Sequence, residues 1–87
     1  MNDRIAMGAY QACTELGLSV PQDISMVSFD DSDLARWLRP QLTSVAIPHF
    51  EMGRRAVELL LTPERPTIIE RVPMPLRVRD SVAAPAR

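Results

Sequence analysis

The sequence predicts an α/β fold with a parallel sheet. Three observations carry this. Helical periodicity over Asp3–Leu16 gives way to a short apolar run, Ile24–Phe29, that ends on two carboxylates, Asp30 and Asp31. A second short apolar run, Leu42–Ala46, leads into the clearest amphipathic stretch, Pro48–Leu61. Helices alternating with short apolar strands are the pattern of a parallel sheet covered by its crossover helices. The chain opens directly on a helix with no strand to feed it. The sheet is therefore expected to be incomplete without upstream sequence.

Each element has its own signals. In the first helix Ile5, Ala9, Ala12, Cys13 and Leu16 share one face. Gly17 supplies the left-handed stop, and Pro21 follows. Gly8 sits inside this helix at a cost of about 1 kcal/mol relative to Ala, which predicts another backbone passing close by. Met7 and Tyr10 lie off the main stripe and suggest a second buried face. Ile24–Phe29 reads as a buried strand. Ser32–Leu38 reads as a short helix with Ser32 as its cap, closed by Pro40. Leu42–Ala46 is the second strand. Over Pro48–Leu61, Pro48 suits the first turn and Phe50, Gly53, Val57, Leu60 and Leu61 make the stripe. Glu51 and Arg55 are spaced as an i,i+4 ion pair, and Pro63 and Pro66 end the helix. Two extended segments follow, 67–72 and Met74–Val78, with Pro73 and Pro75 confining them to edge or start positions. The tail, Val82–Arg87, is expected to fray.

Composition limits function. The 87 residues carry ten Arg, no Lys and eleven acidic side chains, a net charge of −1. That balance gives no global electrostatic case for nucleic acid or an anionic membrane. Cys13 is the single cysteine, so no intrachain disulfide forms and a cytoplasmic chain is expected. No apolar run approaches the ~20 residues of a membrane span. Met1-Asn2-Asp3-Arg4 lacks the basic-then-apolar order of a secretory signal. Burial of about 9,000 Å², some 60% of it apolar, yields on the order of 135 kcal/mol against roughly 130 for ordering the chain. The near-zero difference predicts that partner surface matters.

Ligands of open α/β sheets bind beyond the carboxyl ends of the strands. Two places have that address, Asn2-Asp3 and Asp30-Asp31. An amide and carboxylates suit a hydroxyl-rich small molecule such as a sugar. The same residues suit helix caps, with Asn2 or Asp3 on the first helix and Asp31 on the next, and a capping side chain keeps lone pairs for a ligand. His49 is the single histidine and no Cys or His stands at ligand spacing, so no metal site is expected. Ser25, Ser28, Ser32 and Ser44 lack a nucleophile-elbow context, and the three glycines are scattered, with no phosphate loop. No enzyme chemistry and no cofactor are expected. Arg36 and Arg39 beside Trp37 are one basic cluster in a net acidic chain, which argues against nucleic acid. Leu34, Trp37 and Leu38 suit either a partner-facing patch or core packing.

A series of motifs then carries a resemblance. It runs Asn2-Asp3-Arg4-Ile5-Ala6-Met7-Gly8, Leu16-Gly17-Leu18-Ser19-Val20-Pro21-Gln22-Asp23-Ile24-Ser25, Val27-Ser28-Phe29-Asp30-Asp31 and Arg39-Pro40-Gln41-Leu42-Thr43-Ser44-Val45. It continues through Met52-Gly53-Arg54-Arg55-Ala56-Val57-Glu58-Leu59-Leu60-Leu61 to Leu76-Arg77-Val78-Arg79-Asp80-Ser81-Val82. In that order the motifs resemble the lactose-repressor (LacI/GalR) family of bacterial transcription regulators over nearly the whole chain. The resemblance implies part of a two-lobed effector domain of periplasmic-binding-protein type. Residues 1–46 would belong to the C-terminal lobe and 47–70 to the crossover and a helix of the N-terminal lobe. Residues 71–81 would be a strand returning to the C-terminal lobe, and 82–87 a tail. It implies effector contacts at Asn2 and Asp30, with Asp3 a weaker candidate better suited to capping. Ile47 departs from the polar crossover residue of many sugar-responding members. It implies a homodimer, or a tetramer, through the first two helices at Ala6, Met7, Tyr10, Leu34, Trp37 and Leu38. A small-molecule effector would bind the cleft, and operator DNA would be contacted only by an N-terminal domain outside this chain. A transport-type sugar-binding protein shares the fold and is the alternative.

Overall fold

The computed structural model describes residues 1–62 and 69–85. Its elements are α1 (Asp3–Glu15), β1 (Val27–Asp30), α2 (Asp33–Trp37), β2 (Thr43–Ala46), α3 (His49–Leu61) and β3 (Leu76–Arg77). The predicted order holds through α3. Of the two extended segments that follow, only Met74–Val78 supplies a strand; 67–72 lies partly outside the described residues, and 69–72 has no assigned strand. Pro63, Pro66 and the last two residues also lie outside them.

α1 is bounded by side-chain and glycine chemistry. The Asn2 carboxamide oxygen accepts the Ile5 N–H at 3.0 Å, so Asn2 and not Asp3 is the cap. At the other end the Leu18 N–H reaches the Cys13 carbonyl at 2.8 Å and Gly17 N–H that of Thr14 at 3.2 Å. This is the Schellman closure, and it requires the left-handed φ of +72° that Gly17 adopts.

The buried stripe of α1 is not the one its periodicity suggested. Asp3, Ala6 and Cys13 are buried and Ala9 and Tyr10 half-buried, whereas Ile5, Ala12 and Leu16 are exposed. The helix has two apolar stripes, and the one containing small Ala6 turns inward. A carboxylate at the head of that stripe disguises it. No heavy atom stands within 4 Å of a Cβ placed at Gly8, so the expected close backbone is not there.

β1 and β2 pair in parallel, Val27 with Thr43 through Asp30 with Ala46. β3 joins the far edge of β2 antiparallel, with Ser44 opposite Arg77. On the near edge Phe29 N–H donates to the Met1 carbonyl at 2.8 Å, and Asn2 bridges Phe29 in parallel. The first two residues therefore occupy a strand position beside β1. α1 and α2 lie on the face to which Ser28 points; Val27 and Phe29 point the other way and stay about half exposed. The expectation of a fully buried strand is corrected accordingly.

Ala6, Cys13, Met26, Ala35 and Leu42 form the core, flanked by Ala9, Tyr10, Val20 and Leu38. It is small, and the chain is open. The accessible surface is 6614 Å², against about 5,100 Å² for a compact monomer of this mass. The radius of gyration is 17.3 Å, against about 12 Å for a compact chain of this length. α3 contributes much of this surface. None of its residues is buried, and Phe50, Val57, Leu60 and Leu61 of its stripe are exposed. Its ion pairs differ from expectation: Arg54 takes Glu51 and Glu58, and Arg55 takes Glu58 and Glu70, not Glu51.

The C-terminal segment is tied down further than predicted. Ser81 is fully buried; its hydroxyl donates to the Met26 carbonyl at 2.6 Å and accepts the Thr43 N–H at 2.8 Å. It fastens the entries of β1 and β2 together. Ala83 N–H donates to the Ser25 hydroxyl at 3.1 Å, so the described part of the tail is docked and not frayed.

Candidate functional site

The carboxyl end of β1 turns sharply. Asp30 has φ of 129° and Asp31 φ of 54°, conformations an L-residue holds only when its surroundings enforce them. Asp31 N–H donates to the Ser44 hydroxyl at 2.9 Å. The Asp31 carboxylate lies 2.7 Å from the Arg79 guanidinium, with both side chains largely buried. Arg79 is itself fixed by donating to the Leu42 carbonyl at 2.8 Å. The turn is thus clamped from β2 and from the segment after β3.

Below it lies a buried carboxylate. Asp3 is 1% exposed. One of its oxygens accepts the hydroxyls of Ser28 and Ser44, which stand 3.1 Å apart. The other accepts both the N–H and the hydroxyl of Ser32 at 2.7 Å. Burial pushes the Asp3 pKa up, but the hydrogen bonds from Ser28, Ser32 and Ser44 and from the Ser32 backbone outweigh it and leave it below the ordinary value. The ionised form is therefore the stable one. Asp3 joins α1, β1, β2 and the start of α2 at one point.

This corrects two expectations. Asp3 was a candidate effector contact and a candidate cap; it is neither exposed to a ligand nor the cap of α1. Asp31 does not cap α2: Ser32 holds the cap position, and its hydroxyl is spent on Asp3 rather than on the helix.

Asn2 and Asp30 fit the expected address. They stand at the carboxyl ends of neighbouring strand positions and open onto one cleft of about 660 Å³, lined also by Arg4, Met7, Ser32, Asp33 and Leu34. The Asp30 carboxylate is partly exposed and one oxygen accepts from His49 Nε2 at 2.8 Å. Its acceptors and the Asn2 amide can together bind vicinal hydroxyls.

The residues assigned to a dimer surface divide. Ala6 is fully buried in the chain's own core, which removes it from that surface. Tyr10 and Leu38 are half-buried against the core, and the Tyr10 hydroxyl donates to the Pro40 carbonyl at 2.9 Å. Met7 is 47% and Trp37 76% exposed, and Leu34 is half-buried. Ser28, Ser44 and His49 were not recognised as site residues. Ser28 and Ser44 reach Asp3 across 25 and 41 residues, and no local pattern signals that.

The periplasmic binding protein-like domain model matches residues 1–82. The chain belongs to that family. Within it the domain is 50% identical over 60 residues to the ribose operon repressor of Haemophilus influenzae, covering 69% of this chain and 18% of the relative. It superposes on a LacI family transcriptional regulator from Enterococcus faecium with bound ribose at a TM-score of 0.78 and 36% identity, over 95% of this chain and 32% of that one. It superposes on the dimeric Lac repressor with an 11-residue C-terminal deletion at 0.83 and 33% identity, over 97% and 32%. The resemblance to the lactose-repressor family and the α/β fold expected from it are thereby borne out. The domain spans about a fifth of the length of the curated relatives it matches. Those relatives include a ribose operon repressor and an HTH-type transcriptional repressor. Among the described residues no helix is long and apolar enough to cross a membrane.

Proposed function

We propose that this chain is the effector-sensing and dimerisation segment of a DNA-binding transcription regulator that responds to a sugar. The observation that carries the reading is the pairing of Asn2 and Asp30 at adjoining strand ends over one cleft. Support comes from the ribose repressor relative and the ribose-bound structural neighbour. Residues 1–46 and 71–81 belong to the C-terminal lobe of the effector domain, and 47–70 form the crossover and a helix of the N-terminal lobe. The regulator is a cytoplasmic non-enzyme without a cofactor, and it contacts operator DNA through a part outside these 87 residues. Isothermal titration of the full-length regulator with D-ribose tests the reading. Saturable one-to-one binding is expected; absence of heat with ribose and with related aldoses contradicts it.

The dimer forms through α1 and α2, with Trp37 as the anchor. An exposed Trp one turn along α2 from Leu34 has the character of an interface hot spot. Trp37→Glu in the full-length regulator is expected to weaken dimerisation by about 2 kcal/mol or more. Sedimentation equilibrium reads this directly, and an unchanged dimer constant removes Trp37 from the interface.

A further inference from the structure

His49 is the first residue of α3, and its Nε2 stands 2.8 Å from Asp30 Oδ1, across 19 residues of chain. A carboxylate only accepts, so Nε2 carries the proton. The other side-chain hydrogen bonds of α3 among the described residues run within the helix and to Glu70 and Thr62. The Asp30–His49 bond is therefore the side-chain hydrogen bond that links α3 to the sheet. Asp30 lines the cleft and His49 does not, so His49 reaches the cleft only through the Asp30 carboxylate. Asp30 sits on a strained turn that fixes its backbone, but among the described residues no hydrogen bond from that turn fixes the rotation of its carboxylate. His49 does, by holding one oxygen and leaving the other free.

We propose that His49 is a positioning residue for effector recognition: it anchors Asp30 Oδ1 so that Oδ2 is presented to a sugar hydroxyl. The inference rests on Asp30 as an effector contact. It assigns a specificity role to the crossover end of α3, where Ile47 offers no polar group.

The experiment is D-ribose titration of the full-length regulator with His49→Phe, His49→Gln, Asp30→Asn and the Asp30→Asn/His49→Phe pair. His49→Phe keeps an aromatic ring and removes the donor. It is expected to weaken ribose about tenfold, with the thermal midpoint unchanged because the side chain is 71% exposed. His49→Gln restores an N–H donor and is expected to recover binding to within about threefold. In the Asp30→Asn background His49→Phe is expected to add less than twofold, because His49 acts through Asp30. Equal ribose affinity in His49→Phe and the unsubstituted protein, with Asp30→Asn impaired, overturns the role of His49 and leaves the site standing. Unimpaired binding by Asp30→Asn overturns the site itself, and the role of His49 with it.

Discussion

Replacing Asp3 by Ala is expected to cost about 3 kcal/mol of stability, a large part of what a domain of this size holds. The loss comes from donors left without an acceptor. Ser28, Ser32 and Ser44 direct three hydroxyls and one N–H at this carboxylate, and all but Ser32 are fully buried. Asp3→Asn keeps the shape but turns an N–H₂ group toward those donors, so it is expected to be destabilised as well. Urea unfolding of the full-length regulator measures both. The Asp3 contribution also has a pH signature. Hydrogen bonding holds the folded pKa below its ordinary value of 3.8 despite burial. The stabilisation is thus complete above that value and is lost as pH falls through the lower, folded one. The substituted proteins lack this acid-side loss. Identical urea midpoints for Asp3→Ala and the unsubstituted protein contradict the assignment.

Replacing Asp30 by Ala is expected to abolish sugar response, weakening ribose at least about 100-fold while leaving operator affinity intact. A charge-assisted hydrogen bond contributes about 1.5–3 kcal/mol, and the two lone pairs of the free Oδ2 can accept two. Asp30 differs from Asp3 in its surroundings. It is partly exposed at the cleft and its one assigned side-chain partner is His49, so removing it leaves no buried donor unpaired. Asp3→Ala therefore lowers the unfolding midpoint, whereas Asp30→Ala leaves it within about 0.5 kcal/mol and changes ligand binding alone. Normal ribose affinity in Asp30→Ala contradicts the site.

Sequence and structure agree where signals are local. The helix over Asp3–Leu16 was legible from its period and from Gly17, whose positive φ makes the stop. β1 and β2 were legible as apolar runs, and the site's address followed from β1 ending on Asp30. Two kinds of feature were not legible. One is the phase of an amphipathic helix with two apolar stripes. The inner stripe of α1 begins with a charged residue, and hydrophobicity alone ranks Ile5 and Leu16 above Asp3 and Ala6 for burial. The other is polar closure over long separations. Ser28, Ser44, Asp31 and Arg79 acquire their roles only when β1, β2 and the segment after β3 lie together. β3 itself, two residues directly after Pro75, carries too little pattern to fix its antiparallel direction.

The exposed stripe of α3 and the half-exposed Val27 and Phe29 have one physical explanation. These faces follow the periods of a helix and a strand, so they are built to be covered. This chain matches 32% of each of two solved neighbours, so about two-thirds of each neighbour lies outside the matched part.

A crystal structure of the full-length regulator grown with D-ribose tests the account most directly. The account predicts sugar hydroxyls within hydrogen-bonding distance of the Asn2 amide and of the Asp30 carboxylate, with Asp3 still enclosed by Ser28, Ser32 and Ser44. A ribose bound elsewhere, or one that touches neither Asn2 nor Asp30, contradicts it.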